Sequence, residues 1–179
     1  MAPITIRLAQ PQDHEMLCSF QNSVETSKTW QMEQSFDDGS WIIRFREISL
    51  PRPVHLAYPI SVKGIQDHLL RNELTLVALE KSIPVGFISL AADPGSRTAR
   101  VTDLVVEPQH RRKGIATALA IDTVDWLVER KITGMSLEMM LKNHPAINLS
   151  RKLGFSPAGF NDVYYSNGQT SVTFYRKIN

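Results

Sequence analysis

The stretch VTDLVVEPQHRRKGIATALAIDTVDWLV, beginning at Val101, constrains this chain more than any other segment. It alternates into an apolar strand, meets Pro108, and after a short basic turn opens a helix behind Gly114. A strand joined so tightly to a helix forces the helix back over the sheet to which the strand belongs. Ile115, Leu119, Val124, Leu127 and Val128 mark the face that this helix is expected to bury, so the class is α/β.

The flanking sequence extends that pattern. ITIRLAQPQD predicts a first strand, broken at Pro11 and followed by a helix around residues 13–24. From residue 27 to 59 the pattern is irregular, with Trp30, DDG and Trp41, although WIIRFREI is a candidate strand; a solvated loop with two core tryptophans is the plain expectation there. Ser61 is placed to cap a helix carrying Ile65, Leu69 and Leu70, and LTLVALE and PVGFISLAA read as two strands around KSIP. DPG at 93–95 is a turn, GMSLEMML a strand, and HPAINLSRKL a helix with Pro145 in its first turn and Gly154 at its C-terminal end. NDVYYSNGQTSVTFYRKI reads as two strands joined at Asn167-Gly168.

Composition narrows the functional classes. With 179 residues, 42% apolar and 21% charged, the chain suits one globular domain. A net charge of +2 is too mild for general nucleic-acid binding, because the basic residues gather only at 110–113. Cys18 is the only cysteine, which excludes an internal disulfide and a cysteine cage for zinc. No apolar run reaches membrane-spanning length, so a cytoplasmic protein with no nucleic-acid or membrane partner is expected.

A helix N-terminus presents unpaired N–H groups and partial positive charge to anions. Gly114 admits close backbone approach, Ala116 is small, and Arg111, Arg112 and Lys113 add formal charge. The turn therefore describes a diphosphate cradle, although a solvated basic loop would look the same in isolation. It is no P-loop, since Gly-Lys-Ser/Thr is missing, and no dinucleotide fingerprint, since one of three glycines is present.

VVEPQHRRKGIATAL resembles the signature of the GNAT acyltransferase superfamily at Arg111, Gly114 and Ala116, and NHPAINLSRKLGF is similar to its second segment at Asn143, Ala146, Leu149, Lys152, Gly154 and Phe155. Residues 74–179 and 1–26 carry the likeness, and about 27–62 stands outside it as an insertion in one domain. Within the superfamily the last third is similar to streptothricin acetyltransferases, and less closely to acetyltransferases of ribosomal-protein N-termini. The resemblance implies a GNAT fold: a central mixed, mostly antiparallel, splayed sheet of about seven strands flanked by helices.

It also implies acetyl-CoA as cosubstrate and no metal. Main-chain groups of Arg111, Arg112, Lys113, Gly114, Ile115, Ala116 and Thr117 would hold the diphosphate, with His110 near the 3′-phosphate and Asn143 on the pantetheine arm. A backbone N–H within Leu104, Val105 and Val106 would polarise the thioester carbonyl. Glu138 is the first candidate for general base and Asp103 the second; strand alternation turns Glu138 away from the apolar face of Met135, Leu137 and Met139. Where the family places a tyrosine to protonate the departing thiolate, this chain has Ser150, a poor acid, and Tyr165, Tyr164 or Tyr175 would have to substitute. The expected activity is acetyl transfer to a primary amine of a small cationic molecule, antibiotic- or polyamine-like. The alternatives are a protein or peptide N-terminal amine as acceptor, or a non-catalytic acetyl-CoA sensor. A homodimer is compatible with the family. Glu33, Asp37 and Asp38 beside the two tryptophans offer charge and aromatic faces to a cationic acceptor.

Overall fold

The structure, a computed structural model, describes residues 3–178 apart from 21, 94, 166 and 167. The described strands are β1 (Ile4–Leu8), β2 (Val24–Asp37), β3 (Ser40–Leu56), β4 (Leu74–Glu80), β5 (Ile83–Asp93), β6 (Thr98–Val106), β7 (Gly134–Met140), β8 (Ser156–Asn161) and β9 (Ser171–Lys177). The helices are α1 (His14–Ser19), α2 (Val62–Arg71), α3 (Ile115–Glu129) and α4 (His144–Lys152). Seven strands form one sheet in the order β1-β4-β5-β6-β7-β9-β8, while β2 and β3 pair separately. Every neighbour in the large sheet is antiparallel except β6 and β7, which the α3 crossover makes parallel. The mixed, mostly antiparallel α/β sheet matches the expectation from sequence.

Both faces of the sheet are covered, which is why the central strands read as continuous apolar runs. On one face Ile115, Leu119, Ala120 and Leu127 of α3 and Ile147 of α4 pack onto Leu76, Ile88, Leu90 and Val101. On the other, Leu17 of α1 and Ile65 and Leu69 of α2 pack onto Val77, Phe87 and Val105. Between them β6 changes sides. The pairing with β5 slips after Ser89↔Asp103, leaving Thr102 as an extra residue before Leu90↔Val101. Ala99 and Val101 therefore face α3, whereas Asp103 and Val105 face α1 and α2. Asn72 Nδ2 donates to Thr102 Oγ1 at 2.7 Å and to Ser89 Oγ at 2.8 Å, so the bulge is braced by side chains.

Five readings of the sequence are corrected. The helix around 13–24 ends at Ser19, and Val24 already starts a strand. The irregular stretch is a long antiparallel hairpin, β2 with β3, turned at Asp38-Gly39 with φ of 45° and 74°. Positive φ at both turn residues gives the twist that a two-residue hairpin needs, and Asp-Gly is the pair that adopts it. Val128 is exposed rather than buried, and Trp41 is 71% exposed at the hairpin tip, where it packs on Phe36 with centroids 5.2 Å apart. The final hairpin starts earlier than expected: β8 ends at Asn161, and 162–165 is not strand. Asn167 and the proline of DPG lie outside the described residues; Gly95 N–H donates to Asp93 Oδ1 at 3.0 Å. The other turn holds as read, with Lys81 and Ser82 at φ 50° and 67° between β4 and β5.

The hairpin lies against α4 and β8. Trp30, Met32 and Phe45 join the larger core, Trp30 N–H donates to Leu141 C=O at 3.3 Å, and Phe45 meets Phe160 edge-on at 6.2 Å. Among the described residues no helix is long and apolar enough to cross a membrane.

Candidate functional site

β6 and β7 pair only from Thr98↔Gly134 to Val101↔Leu137, and beyond that point the two strands part. The bulge at Thr102 sits where they separate. Glu107 N–H donates to Val85 C=O at 3.0 Å, so the alternation of an antiparallel pair turns Val105 toward β5. The N–H and C=O groups of Leu104 and Val106 consequently face the gap. A cleft of about 570 Å³ opens there, lined by residues that include Tyr58, Leu104, Val105, Val106, Arg111, Arg112, Gly114, Ile115, Ala116, Thr117, Glu138 and Asn143.

The floor of one end is the start of α3. Gly114 has φ 84°, a left-handed conformation that sets the helix direction, and Arg112 is left-handed too at φ 64°. A Cβ on Gly114 would meet nothing within 4 Å, so conformation rather than crowding by the protein calls for glycine here. The first α3 bond runs from Ala118 N–H to Gly114 C=O at 3.0 Å, which leaves the N–H groups of Ile115, Ala116 and Thr117 without helical acceptors. Arg111 turns back into the protein: Nε donates to Val106 C=O at 2.9 Å and Nη1 to Ser23 C=O at 2.8 Å. Burial lowers its pKa, so its charge is costly in this position. Lys113 is exposed and outside the lining.

Two buried polar atoms at this end lack a partner among the described residues, His110 Nδ1 and Asn22 Oδ1, and both residues line the cleft. His110 Nε2 lies 3.2 Å from Glu80 Oε2. An anionic ligand with polar branches fits this chemistry, because it would meet open N–H groups and supply partners to the orphaned atoms.

At the other end Glu138 enters the cleft from β7, on the side that strand alternation predicted. Tyr164 and Tyr165 stand beside it without lining the cleft, their rings edge-to-face at 5.0 Å. A hydrogen bond to Glu138 raises the Tyr164 pKa; burial, then the charge of Glu138, raises that of Tyr165. Ser150 lines the cleft but is 2% exposed and donates to Ala146 C=O at 2.9 Å, within its own helix. Tyr175 lies away from these groups, its hydroxyl over Gly134. Asn143 caps α4, accepting from Ala146 N–H at 3.2 Å.

Asp103 is 1% exposed and does not line the cleft. Its Oδ1 accepts from the Tyr58 hydroxyl at 2.9 Å, and its Oδ2 lies 2.6 Å from His68 Nδ1. Sequence reasoning missed Tyr58 and His68, because a tyrosine before Pro59 and a histidine on an amphipathic helix carry no spacing signal. Among the described residues no group of His, Cys, Asp or Glu is placed to hold a metal ion.

Residues 40–155 match the acetyltransferase (GNAT) family. A streptothricin acetyltransferase of Streptomyces lavendulae is 26% identical over 164 residues, 89% of this chain and 85% of that protein. The crystal structure of nourseothricin acetyltransferase aligns with a TM-score of 0.84 over 98% of this chain and 99% of that one, at 23% identity. The chain spans about half of a further relative from Bacillus subtilis (strain 168), provisionally named a ribosomal-protein-bS18-alanine N-acetyltransferase: 30% identity over 82 residues, 45% of this chain and 54% of that protein.

Proposed function

The chain belongs to the GNAT acetyltransferase family, and from that premise we propose that it moves the acetyl group of acetyl-CoA directly to a primary amine of a small cationic molecule. The observation that carries this reading is the parting of β6 from β7 after Val101, which aims main-chain groups of Leu104 and Val106 into a cleft leading onto the open start of α3. The family uses acetyl-CoA, and the cleft suits it: N–H groups over 112–117 would hold the diphosphate, with Asn143 near the pantetheine arm and His110 available to a phosphate. Bound there, the thioester supplies the activated acyl group.

The residues of the chain then divide the work. The N–H of Leu104 or Val106 stabilises the negative charge that grows on the carbonyl oxygen. The amine, of unperturbed pKa about 10.4, is mostly protonated at neutral pH and reacts as its minor neutral form, having lost its extra proton to water; Glu138 takes an N–H proton from that neutral amine as it attacks and afterwards restores the acid that protonates the thiolate. The amine nitrogen bonds to the carbonyl carbon, the C–S bond breaks, and the thiolate takes up a proton. Tyr165, beside Glu138, is proposed for that donation, because Tyr164 is hydrogen-bonded to Glu138 and Ser150 is engaged by its own helix. Arg111 braces the turn from behind.

Glu138 in the cleft and the streptothricin acetyltransferase relative, matched over most of both chains, favour a small cationic acceptor. The Bacillus relative supports a second reading, a peptide N-terminal amine. We place the protein in the cytoplasm as one domain in which residues 27–62 are an addition. The test is acetyl-CoA binding by calorimetry, followed by thiol release across streptothricin, a polyamine and an alanyl peptide. Tight binding with release on a small cation supports the reading; release on the peptide alone selects the second; binding with no release on any amine overturns both in favour of a sensor.

A further inference from the structure

Tyr58 lines the cleft, and its only proton is committed. The hydroxyl donates to Asp103 Oδ1 at 2.9 Å. The other oxygen of Asp103 is 2.6 Å from His68 Nδ1. Both oxygens of a fully buried acid are thus engaged, one by the segment ahead of α2 and one by α2 itself. The phenol is fixed in direction as a result. Its pKa is pushed well above the usual tyrosine value by burial first and by Asp103 second, so it stays a neutral phenol at neutral pH. Tyr58 lines the cleft, and its oxygen keeps lone pairs but no hydrogen free for a ligand.

That polarity restricts what Tyr58 can do. It cannot protonate a departing thiolate, which needs a donor, but it can receive an N–H. A neutral primary amine attacking a carbonyl has one lone pair and two N–H bonds. The lone pair is spent on the carbonyl carbon, and one N–H is taken by Glu138 in the reading above. One N–H remains to be satisfied, and a donor left unmet once the substrate is buried costs about 1–3 kcal/mol.

We propose that Tyr58, held by Asp103 and His68, accepts the second N–H of the acceptor and thereby selects primary over secondary amines. Asp103 acts through Tyr58 and is a positioning residue, not a base. The inference rests on the acetyl-transfer reading and specifies its acceptor more narrowly. No net proton moves along Tyr58, Asp103 and His68; the contact orients the amine and discriminates.

The experiment measures thiol release from acetyl-CoA with primary amines, lysine amide, a diaminoalkane and an alanyl peptide, each paired with its N-methyl counterpart, on wild type and on Tyr58→Phe. Wild type is expected to prefer the primary amine at least about tenfold in kcat/KM. Tyr58→Phe keeps the ring and loses the oxygen. It should bind acetyl-CoA within about twofold of wild type, lose about tenfold on primary amines, and narrow the primary-to-secondary ratio to about threefold or less. Asp103→Asn should raise KM for the amine and shrink the same ratio, with acetyl-CoA affinity retained. A merely structural Tyr58 would lower the melting temperature or cofactor affinity while leaving the ratio where it was. A ratio unchanged in Tyr58→Phe overturns this inference alone. A wild type that turns over no amine of the set overturns the acetyl-transfer reading, and this inference with it.

Discussion

His144 Nε2 stands 2.8 Å from Glu47 Oε2, tying the first residue of α4 to the β2–β3 hairpin. The other carboxylate oxygen accepts from Lys28 Nζ at 2.7 Å. Lys28 first and His144 second hold the Glu47 pKa at about 2, against an ordinary 4.5. A depressed carboxylate stabilises the fold above its unfolded pKa, and that contribution is lost as pH falls through the folded one. The expected window is pH 4.5 down to 2. Denaturant midpoints should show Glu47→Gln less stable than wild type at pH 6, with the gap closing toward pH 2. Added salt should narrow the gap as well, because the pair is solvent-exposed.

Gly114→Asp tests the diphosphate cradle. Aspartate tolerates a left-handed φ better than most side chains, and a Cβ there meets no neighbour, so the fold should survive with a loss of about 1 kcal/mol. The carboxylate would occupy the N–H groups and repel a diphosphate. Calorimetry should show acetyl-CoA affinity reduced at least about a hundredfold, near 2.7 kcal/mol. Affinity unchanged by the substitution would remove residues 112–117 from the site.

Glu138→Gln removes the proposed base while keeping the side chain's shape. The rate of thiol release at saturating amine should fall about 10²- to 10⁴-fold, with acetyl-CoA affinity within about twofold. Tyr164 donates to the same carboxylate, so Tyr164→Phe should move the pH profile of kcat/KM while leaving the maximal rate within about tenfold. A Glu138→Gln enzyme of normal rate would leave the proton to another group.

Gly134→Ala probes packing at the other end of β7. A Cβ at this position would run into the hydroxyl and ring of Tyr175 on β9, so overpacking of about 1–3 kcal/mol is expected in chemical denaturation. Tyr175→Phe should relieve part of that cost in the double variant, giving a non-additive cycle. Additive losses would mean that the two residues do not press on each other.

Some of this molecule is legible in its residues taken in order. Pro145 and Asn143 mark the start of α4 and Gly154, at φ 82°, its end. The strand before Gly114 and the helix after it follow from apolar spacing alone, and so does the side to which Glu138 points. The Asp38-Gly39 turn was equally local, but the strands flanking it hide their alternation: Glu47 stands on the face of Trp30, Met32 and Phe45, and the adjacent Ile42 and Ile43, on opposite faces, are both exposed, because the hairpin is largely solvent-facing. Short-range dihedral preference is readable; a strand that buries little is not.

Asp103 marks the boundary. By the period of β6 it shares a face with Ala99 and Val101, and only the extra residue at Thr102 carries it to the side of α1 and α2. That slip is a property of the pairing between β5 and β6, as the gap that exposes Leu104 and Val106 is a property of how far β7 follows β6. Tyr58 and His68 reach the same carboxylate from positions 45 and 35 residues away. The amino-acid order determined the helices, the turns and the anion-binding start of α3, because each depends on neighbours within a few residues. Which side chains share a buried acid, and where two strands separate, was decided only when distant segments packed together, because hydrogen-bond register and burial are set between elements and not within them.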